Sequence, residues 1–193
     1  MSASAIRVLG IVGSLRAHSF NRALLRAAIE LAPADLAIGI FEDLRAIPFY
    51  DADVEAAGDP APVTALKTAI RDADALLIAT PEYNYGVPAV LKNAIDWASR
   101  PPGASVLNGK PAAIMGATPG GTGTARAQLA LRQSFVFTDT RALLRPEVLV
   151  ARAHEKIDAA GRVSDEPTRR MIGELLAALA DWTRRVGPPR PAA

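Results

Sequence analysis

The stretch Ala75-Leu76-Leu77-Ile78-Ala79, followed after Thr80 by Pro81-Glu82-Tyr83-Asn84-Tyr85-Gly86-Val87-Pro88-Ala89-Val90-Leu91-Lys92-Asn93-Ala94-Ile95-Asp96-Trp97, sets the architecture of this chain. Five consecutive apolar residues read as a strand covered on both faces. Pro88 suits the first turn of a helix, where its missing N–H is no loss. Between the two lies a turn built to hold a flat polar ligand. Tyrosines offer apolar faces, Asn84 offers both donor and acceptor, and Gly86 allows close backbone approach. The same residues also suit an ordinary strand-to-helix connection with two surface tyrosines, so the reading depends on what the rest of the chain places beside them.

Outward from this unit, strand and helix alternate. Ile6–Val12 is a near-continuous apolar run, and Ala23, Leu24, Ala27, Ala28 and Leu31 recur at helical spacing. Leu36–Phe41 reads as a second strand, 42–60 as a long polar loop, 61–71 as a short helix and 74–79 as the third strand. The helix from Pro88 buries Val90, Leu91, Ala94 and Ala98 and stops at Pro101-Pro102. Ala112–Ala117 is a fourth strand, 124–137 a fourth helix and 146–150 a fifth strand. Met171, Ile172, Leu175, Leu176, Leu179, Trp182 and Val186 mark the last helix, ended by Gly187-Pro188-Pro189. Residues 1–187 are expected to form one domain and 188–193 a disordered tail.

This alternation predicts an α/β fold: a doubly wound, five-stranded parallel sheet with helices on both faces. Such sheets bind ligands beyond the carboxyl ends of their strands. In the order 2-1-3-4-5, strands one, three and four are neighbours, and the loops that follow them converge on one rim.

Composition narrows the chemistry. The 193 residues suffice for a sizeable core, half of them are apolar, and none is cysteine, which excludes disulfides, thiol nucleophiles and cysteine metal sites. The net charge is +2 and the basic residues are dispersed, so no nucleic-acid footprint is expected. Nothing reads as a secretion signal or a membrane span, and a cytoplasmic location is expected. Two histidines, His18 and His154, give weak support for a metal site.

The first loop, Gly13-Ser14-Leu15-Arg16-Ala17-His18-Ser19-Phe20-Asn21, joins a strand to a helix N-terminus, where free amides and the helix dipole favour an anion. Ser14, Ser19 and Asn21 add polar groups and Arg16 a charged fork suited to phosphate. Ser19 also reads as the cap of the helix, which is compatible with that role. The third loop, Gly116-Ala117-Thr118-Pro119-Gly120-Gly121-Thr122-Gly123-Thr124, carries four glycines that permit positive φ and close approach to a planar ring. A phosphate cradle beside two loops flanking a flat body suits a mononucleotide with a large heterocycle, FMN first.

At these three stretches, and from Gly116 on to Gln133, the chain resembles the NADPH-dependent FMN reductase family, the flavodoxin-like group that includes bacterial chromate and quinone reductases and azoreductases. The resemblance implies a flavodoxin-like fold and noncovalent FMN. It maps the phosphate loop to Ser14, Leu15, Arg16, Ser19 and Asn21, the loop along the ring to Pro81, Glu82, Tyr83 and Asn84, and the closing loop to Thr118, Gly120 and Gly121. Thr118 stands where serine is common, Thr124 where a second glycine is common, and Leu129 where tyrosine is frequent.

The expected activity is electron transfer from NADPH or NADH, through FMN, to a small-molecule acceptor such as a quinone, chromate, an azo compound or free flavin. No side chain is assigned as acid or base. Tyr83 and Tyr85 are expected to border the acceptor site. A homodimer or homotetramer is implied, with Val87 and Trp97 suited either to an interface or to the core. Two other classes share parts of the pattern. A flavodoxin-type carrier would show an acidic surface and a Thr-Gly-rich phosphate loop, and this chain has neither. A nucleotide-binding regulator would show Gly-x-Gly-x-x-Gly, and Gly10-Ile11-Val12-Gly13-Ser14-Leu15 departs from it.

Overall fold

Consecutive residues of the third strand face opposite cores, and the architecture follows from that alternation. The computed structural model describes residues 5–187, so the expected tail at 188–193 lies outside the described residues. In chain order the elements are β1 (Ile6–Val12), α1 (Phe20–Glu30), β2 (Leu36–Phe41), a 3-10 turn (Asp43–Ala46), α2 (Ala52–Ala56), α3 (Ala61–Asp72), β3 (Ala75–Ala79), α4 (Ala89–Ala98), β4 (Pro111–Ala117), α5 (Ala125–Thr138), β5 (Arg141–Ala142), β6 (Val148–Val150), α6 (Ala153–Lys156) and α7 (Glu166–Val186). Ala75, Leu77 and Ala79 of β3 pack on the side of α1 and α7, while Leu76 and Ile78 pack on the side of α3, α4 and α5. β4 divides in the same way, with Ala113, Met115 and Ala117 on one side and Ala112 and Ile114 on the other.

All strand pairs are parallel and the order is β2-β1-β3-β4, as the sequence predicts. The fifth position differs: it is split in two. β5 pairs with the start of β4, at Pro111 and Ala112, and β6 with its end, from Met115 to Ala117. The intervening Leu143–Glu147 contains Pro146, which has no N–H for a ladder, and the Leu143 carbonyl accepts instead from Arg132 Nη1 at 2.8 Å.

Residues 42–60 are not a simple polar loop. After the 3-10 turn they form a strap fastened to α4. The Pro48 carbonyl accepts from Asn93 Nδ2 (2.8 Å) and Trp97 Nε1 (2.9 Å), and the Tyr50 N–H donates to Asn93 Oδ1 at 2.8 Å. Glu55 accepts from the Tyr50 hydroxyl (2.8 Å) and Arg100 Nε (2.9 Å); the hydroxyl bond holds its carboxyl below the usual range and raises the Tyr50 phenol. Trp97 is fully buried, edge-on to Tyr50 at 5.1 Å, which decides its role as core. Val87 packs partly buried against the same cluster. Among the described residues no helix is long and apolar enough to cross a membrane.

Candidate functional site

The loop after β1 leaves the sheet through Gly13, whose N–H donates to the Ala79 carbonyl at 2.8 Å. A side chain there would meet Leu91 at 3.1 Å and Pro81 at 3.3 Å, so glycine lets the first loop pass close to the second. Ser14 is buried and its Oγ lies 3.4 Å from the Arg16 amide. Ser19 caps α1 by accepting from the Asn21 N–H at 3.2 Å, as its position predicts. Among the described residues the backbone amides of Ala17, His18 and Ser19 have no partner and the Arg16 guanidinium has no ion pair. Leu15 is exposed, and its carbonyl accepts from Arg45 at 3.0 Å.

Asn21 is placed differently from the donors around it. It is 2% exposed; its Oδ1 accepts from the Ala117 N–H at 2.9 Å and its Nδ2 donates to the Ala117 carbonyl at 3.0 Å. Its amide therefore pins the start of α1 to the end of β4, tying the first loop to the third rather than pointing outward.

The second loop is a two-residue hairpin. Tyr83 and Gly86 exchange backbone hydrogen bonds at 3.2 and 2.9 Å, with Asn84 at φ 48° and Tyr85 at φ 66°. Two positive φ angles at the tip define a type I′ turn. The sequence reading gave Gly86 a close backbone approach; the structure puts the special conformation at Asn84 and Tyr85, and a side chain at Gly86 would meet only the Tyr83 carbonyl, at 3.8 Å. Tyr83, Asn84 and Tyr85 are exposed, and Pro81 is buried beneath them.

Glu82 does not point outward either. Its carboxylate accepts from the Arg126 N–H (3.0 Å), the Ala127 N–H (3.2 Å) and Arg126 Nε (3.0 Å), and its side chain is 6% exposed. Helix α5 lacks a side-chain cap of its own: Thr124 sits at φ 70° and its Oγ1 accepts from Gln128. Glu82 supplies the missing acceptor and the negative charge that a helix N-terminus favours, and so ties the second loop to the third. Arg126 and its place in this arrangement were not legible beforehand. Glu82 and Arg126 lie 44 positions apart, so no local signal in the sequence joins them.

The four glycines of the third loop divide into two kinds. A side chain on Gly116 would fall 1.9 Å from Thr124 Oγ1 and 2.5 Å from the Thr80 carbonyl, and one on Gly123, at φ 60°, would fall 2.5 Å from the Leu149 backbone. Packing inside the chain requires these two. Gly120 and Gly121 are exposed and have ordinary φ; nothing lies within 4 Å of a side chain at Gly121, and only Thr118 Oγ1, at 3.7 Å, near one at Gly120. Thr118 Oγ1 also accepts from the Gly120 N–H at 3.3 Å.

Thus Asn21 and Glu82 lock three loops into one rim. Arg16, Ala17, His18, Tyr83, Asn84, Gly120 and Gly121 are exposed along it, with Ser19 buried at the start of α1. On the outer flank of the first loop lies a cavity of about 450 Å³, walled by Arg16, His18, Arg26 and His154 among others. Among the described residues no group of acidic or histidine side chains is arranged to hold a metal ion.

Known proteins are similar to this chain over nearly its whole length. A curated NAD(P)H-dependent FMN reductase of Pseudomonas aeruginosa is 52% identical over 181 residues, covering 94% of this chain and 97% of the relative. A 2-hydroxy-1,4-benzoquinone reductase of a Burkholderia species is 43% identical over 180 residues, covering 93% and 97%. The solved structure of FerB, a flavoenzyme NAD(P)H:(acceptor) oxidoreductase of Paracoccus denitrificans, superposes with a TM-score of 0.86 at 37% identity, covering 95% of this chain and all of that one. The model of the NADPH-dependent FMN reductases matches residues 6–155, a span holding all three loops and the two side chains that lock them, and the chain belongs to that family.

Proposed function

We propose that this chain is an NAD(P)H-dependent reductase that uses noncovalent FMN to pass electrons from NADPH or NADH to small acceptors, quinones first and chromate, azo compounds or free flavin as further ones. One observation carries the reading: the three loops are locked together by buried side chains while their outer surfaces stay bare. The donor set fits FMN. At one end, the unpartnered Ala17–Ser19 amides, the α1 N-terminus and the Arg16 guanidinium suit a phosphate dianion. At the other, Tyr83, Asn84, Thr118, Gly120 and Gly121 offer a flat, partly polar surface, with open space above the glycines where side chains would obstruct a ring.

Bound FMN supplies the hydride and electron chemistry between donor and acceptor. The chain's own part is to bind and orient. Arg16 and the loop amides neutralise phosphate charge, Ser14 and Ser19 border them, and Asn84 offers donor and acceptor to the ring edge. Pro81 and Glu82 hold the second loop from beneath. Tyr83 and Tyr85 border one open face that donor and acceptor use in turn, so parallel initial-rate lines are expected when both are varied. No side chain acts as acid or base.

Residues 1–187 act as one unit, a reading supported by the shared core of α1 and α7. The exposed Leu129, Val136 and Phe137 of α5 and Phe49 of the strap support a homodimer or homotetramer. A cysteine-free chain also suits a reducing cytoplasm.

The test is titration of FMN with flavin-stripped protein, followed by NAD(P)H oxidation with a quinone. Saturable, stoichiometric fluorescence change and FMN-dependent turnover are expected. Binding without NAD(P)H turnover would assign the chain to the electron carriers; no binding by folded protein would overturn the proposal.

A further inference from the structure

The tip of the second loop is strained at a residue poorly suited to it. A type I′ turn needs positive φ at both central positions, and its preferred pair is Asn-Gly. Asn84 satisfies the first position. At the second stands Tyr85, at φ 66°, where the Cβ crowds the following carbonyl oxygen. Such an outlier persists only where its surroundings hold it.

Arg126 is placed to hold it. Its guanidinium carbon lies 3.6 Å from the centroid of the Tyr85 ring, closer than any other cation–ring contact in the described residues. The guanidinium is itself oriented: Nε donates to Glu82 Oε1 at 3.0 Å, while Glu82 Oε2 accepts from the Arg126 and Ala127 amides. Glu82 precedes the turn and Tyr85 stands at its tip, so the first turn of α5 holds the hairpin at its base and at its tip. Among the described residues the Tyr85 side chain has no other partner, and it is otherwise exposed.

We infer that Arg126 is a positioning residue for the flavin site. It clamps the Tyr85 ring and so keeps the 83–86 turn in its left-handed conformation, with the Asn84 amide presented to the ring ligand before the ligand arrives. This rests on the FMN reading above and deepens it: the ordering that binding would otherwise impose on the tip is done beforehand. With negative φ at Tyr85 the turn leaves the I′ class, and Asn84 would have to change conformation with it to keep the paired hydrogen bonds.

The experiment uses five variants, each read first without ligand by hydrogen–deuterium exchange across 82–86 and then by FMN titration. Arg126→Ala is expected to speed exchange and to weaken FMN binding by about tenfold. Tyr85→Phe keeps the ring and is expected to exchange like the parent. Arg126→Lys keeps a charge for Glu82 but lacks the flat guanidinium, and is expected to exchange faster than the parent. Tyr85→Gly gives the turn its preferred pair, so adding Arg126→Ala to it is expected to change FMN affinity less than about twofold. If Arg126→Ala has the same effect with and without Tyr85→Gly, Arg126 acts only through Glu82 and the inference is overturned. Unchanged exchange in Arg126→Ala would overturn it too. If the parent protein fails to bind FMN while the exchange pattern holds, the functional reading falls and the clamp stands.

Discussion

Between Arg16 and Ser19 the guanidinium has no ion pair and three backbone amides no partner among the described residues, whereas the Glu82 carboxylate of the second loop is fully engaged with Arg126 and Ala127 of the helix that follows the third. The first region is an electrostatic surface waiting for an anion. The second is a shaped wall in which Glu82 works inward, holding backbone in place, while Asn84 stays exposed. The contrast matches the two halves of the proposed ligand: a phosphate is recognised by charge and free donors, while a planar ring is recognised by a rigid edge and open space.

The comparison can be broken most forcefully at the wall. Gly116→Ala puts a methyl 1.9 Å from Thr124 Oγ1 and 2.5 Å from the Thr80 carbonyl, and is expected to cost about 3 kcal/mol or more, read as a lower urea midpoint. Glu82→Ala removes the cap of α5 and frees the second loop from the third. A loss of about 2 kcal/mol is expected, with weaker FMN binding in the same protein. The open region should respond in the opposite way. Arg16→Ala is expected to leave stability within about 0.5 kcal/mol while weakening FMN about tenfold, with an affinity that no longer falls steeply with salt. If Arg16→Ala destabilised the fold as much as Glu82→Ala, the division between the two regions would be wrong.

A control far from the rim has the smallest expected effect. Asp165 caps α7, and the Thr168 hydroxyl that donates to it at 2.6 Å, with the Thr168 amide at 2.9 Å, holds its carboxyl below the ordinary range. With the folded value depressed, the stabilisation is present above the unfolded value and is lost as pH falls through the folded one. Asp165→Ala is therefore expected to cost about 1 kcal/mol at neutral pH, with the difference from the parent fading below about pH 4 in acid-dependent unfolding, and no change in FMN affinity.

Much of the fold was legible because it is periodic. The apolar runs at 6–12, 36–41, 75–79 and 112–117 and the helical spacing between them are local signals, and the structure bears out their order and parallel pairing. The split fifth position was not legible: Val148-Leu149-Val150 after Pro146 reads as the whole strand, and Arg141–Ala142, too short to read as an apolar run, shows itself only by pairing with Pro111 and Ala112. The strap at 42–60 hid for a similar reason. Its polar composition reads as a loop, but Pro48, Tyr50 and Glu55 find partners on α4 and just beyond it, at Asn93, Trp97 and Arg100.

By itself the sequence determined the alternation of strand and helix, the three unusual loops, the absence of cysteine chemistry and the kind of ligand those loops suit. Only the tertiary structure decided which polar residues face the ligand and which lock the site. Asn21 meets Ala117 across 96 positions, and Glu82 meets Arg126 across 44. The positive φ at Tyr85, not at Gly86, depends on a ring contact with a helix beyond the next strand. The physical reason is that periodicity and loop chemistry act within a few residues, whereas the partner of a buried amide or carboxylate is chosen by where the folded sheet brings distant backbone groups together.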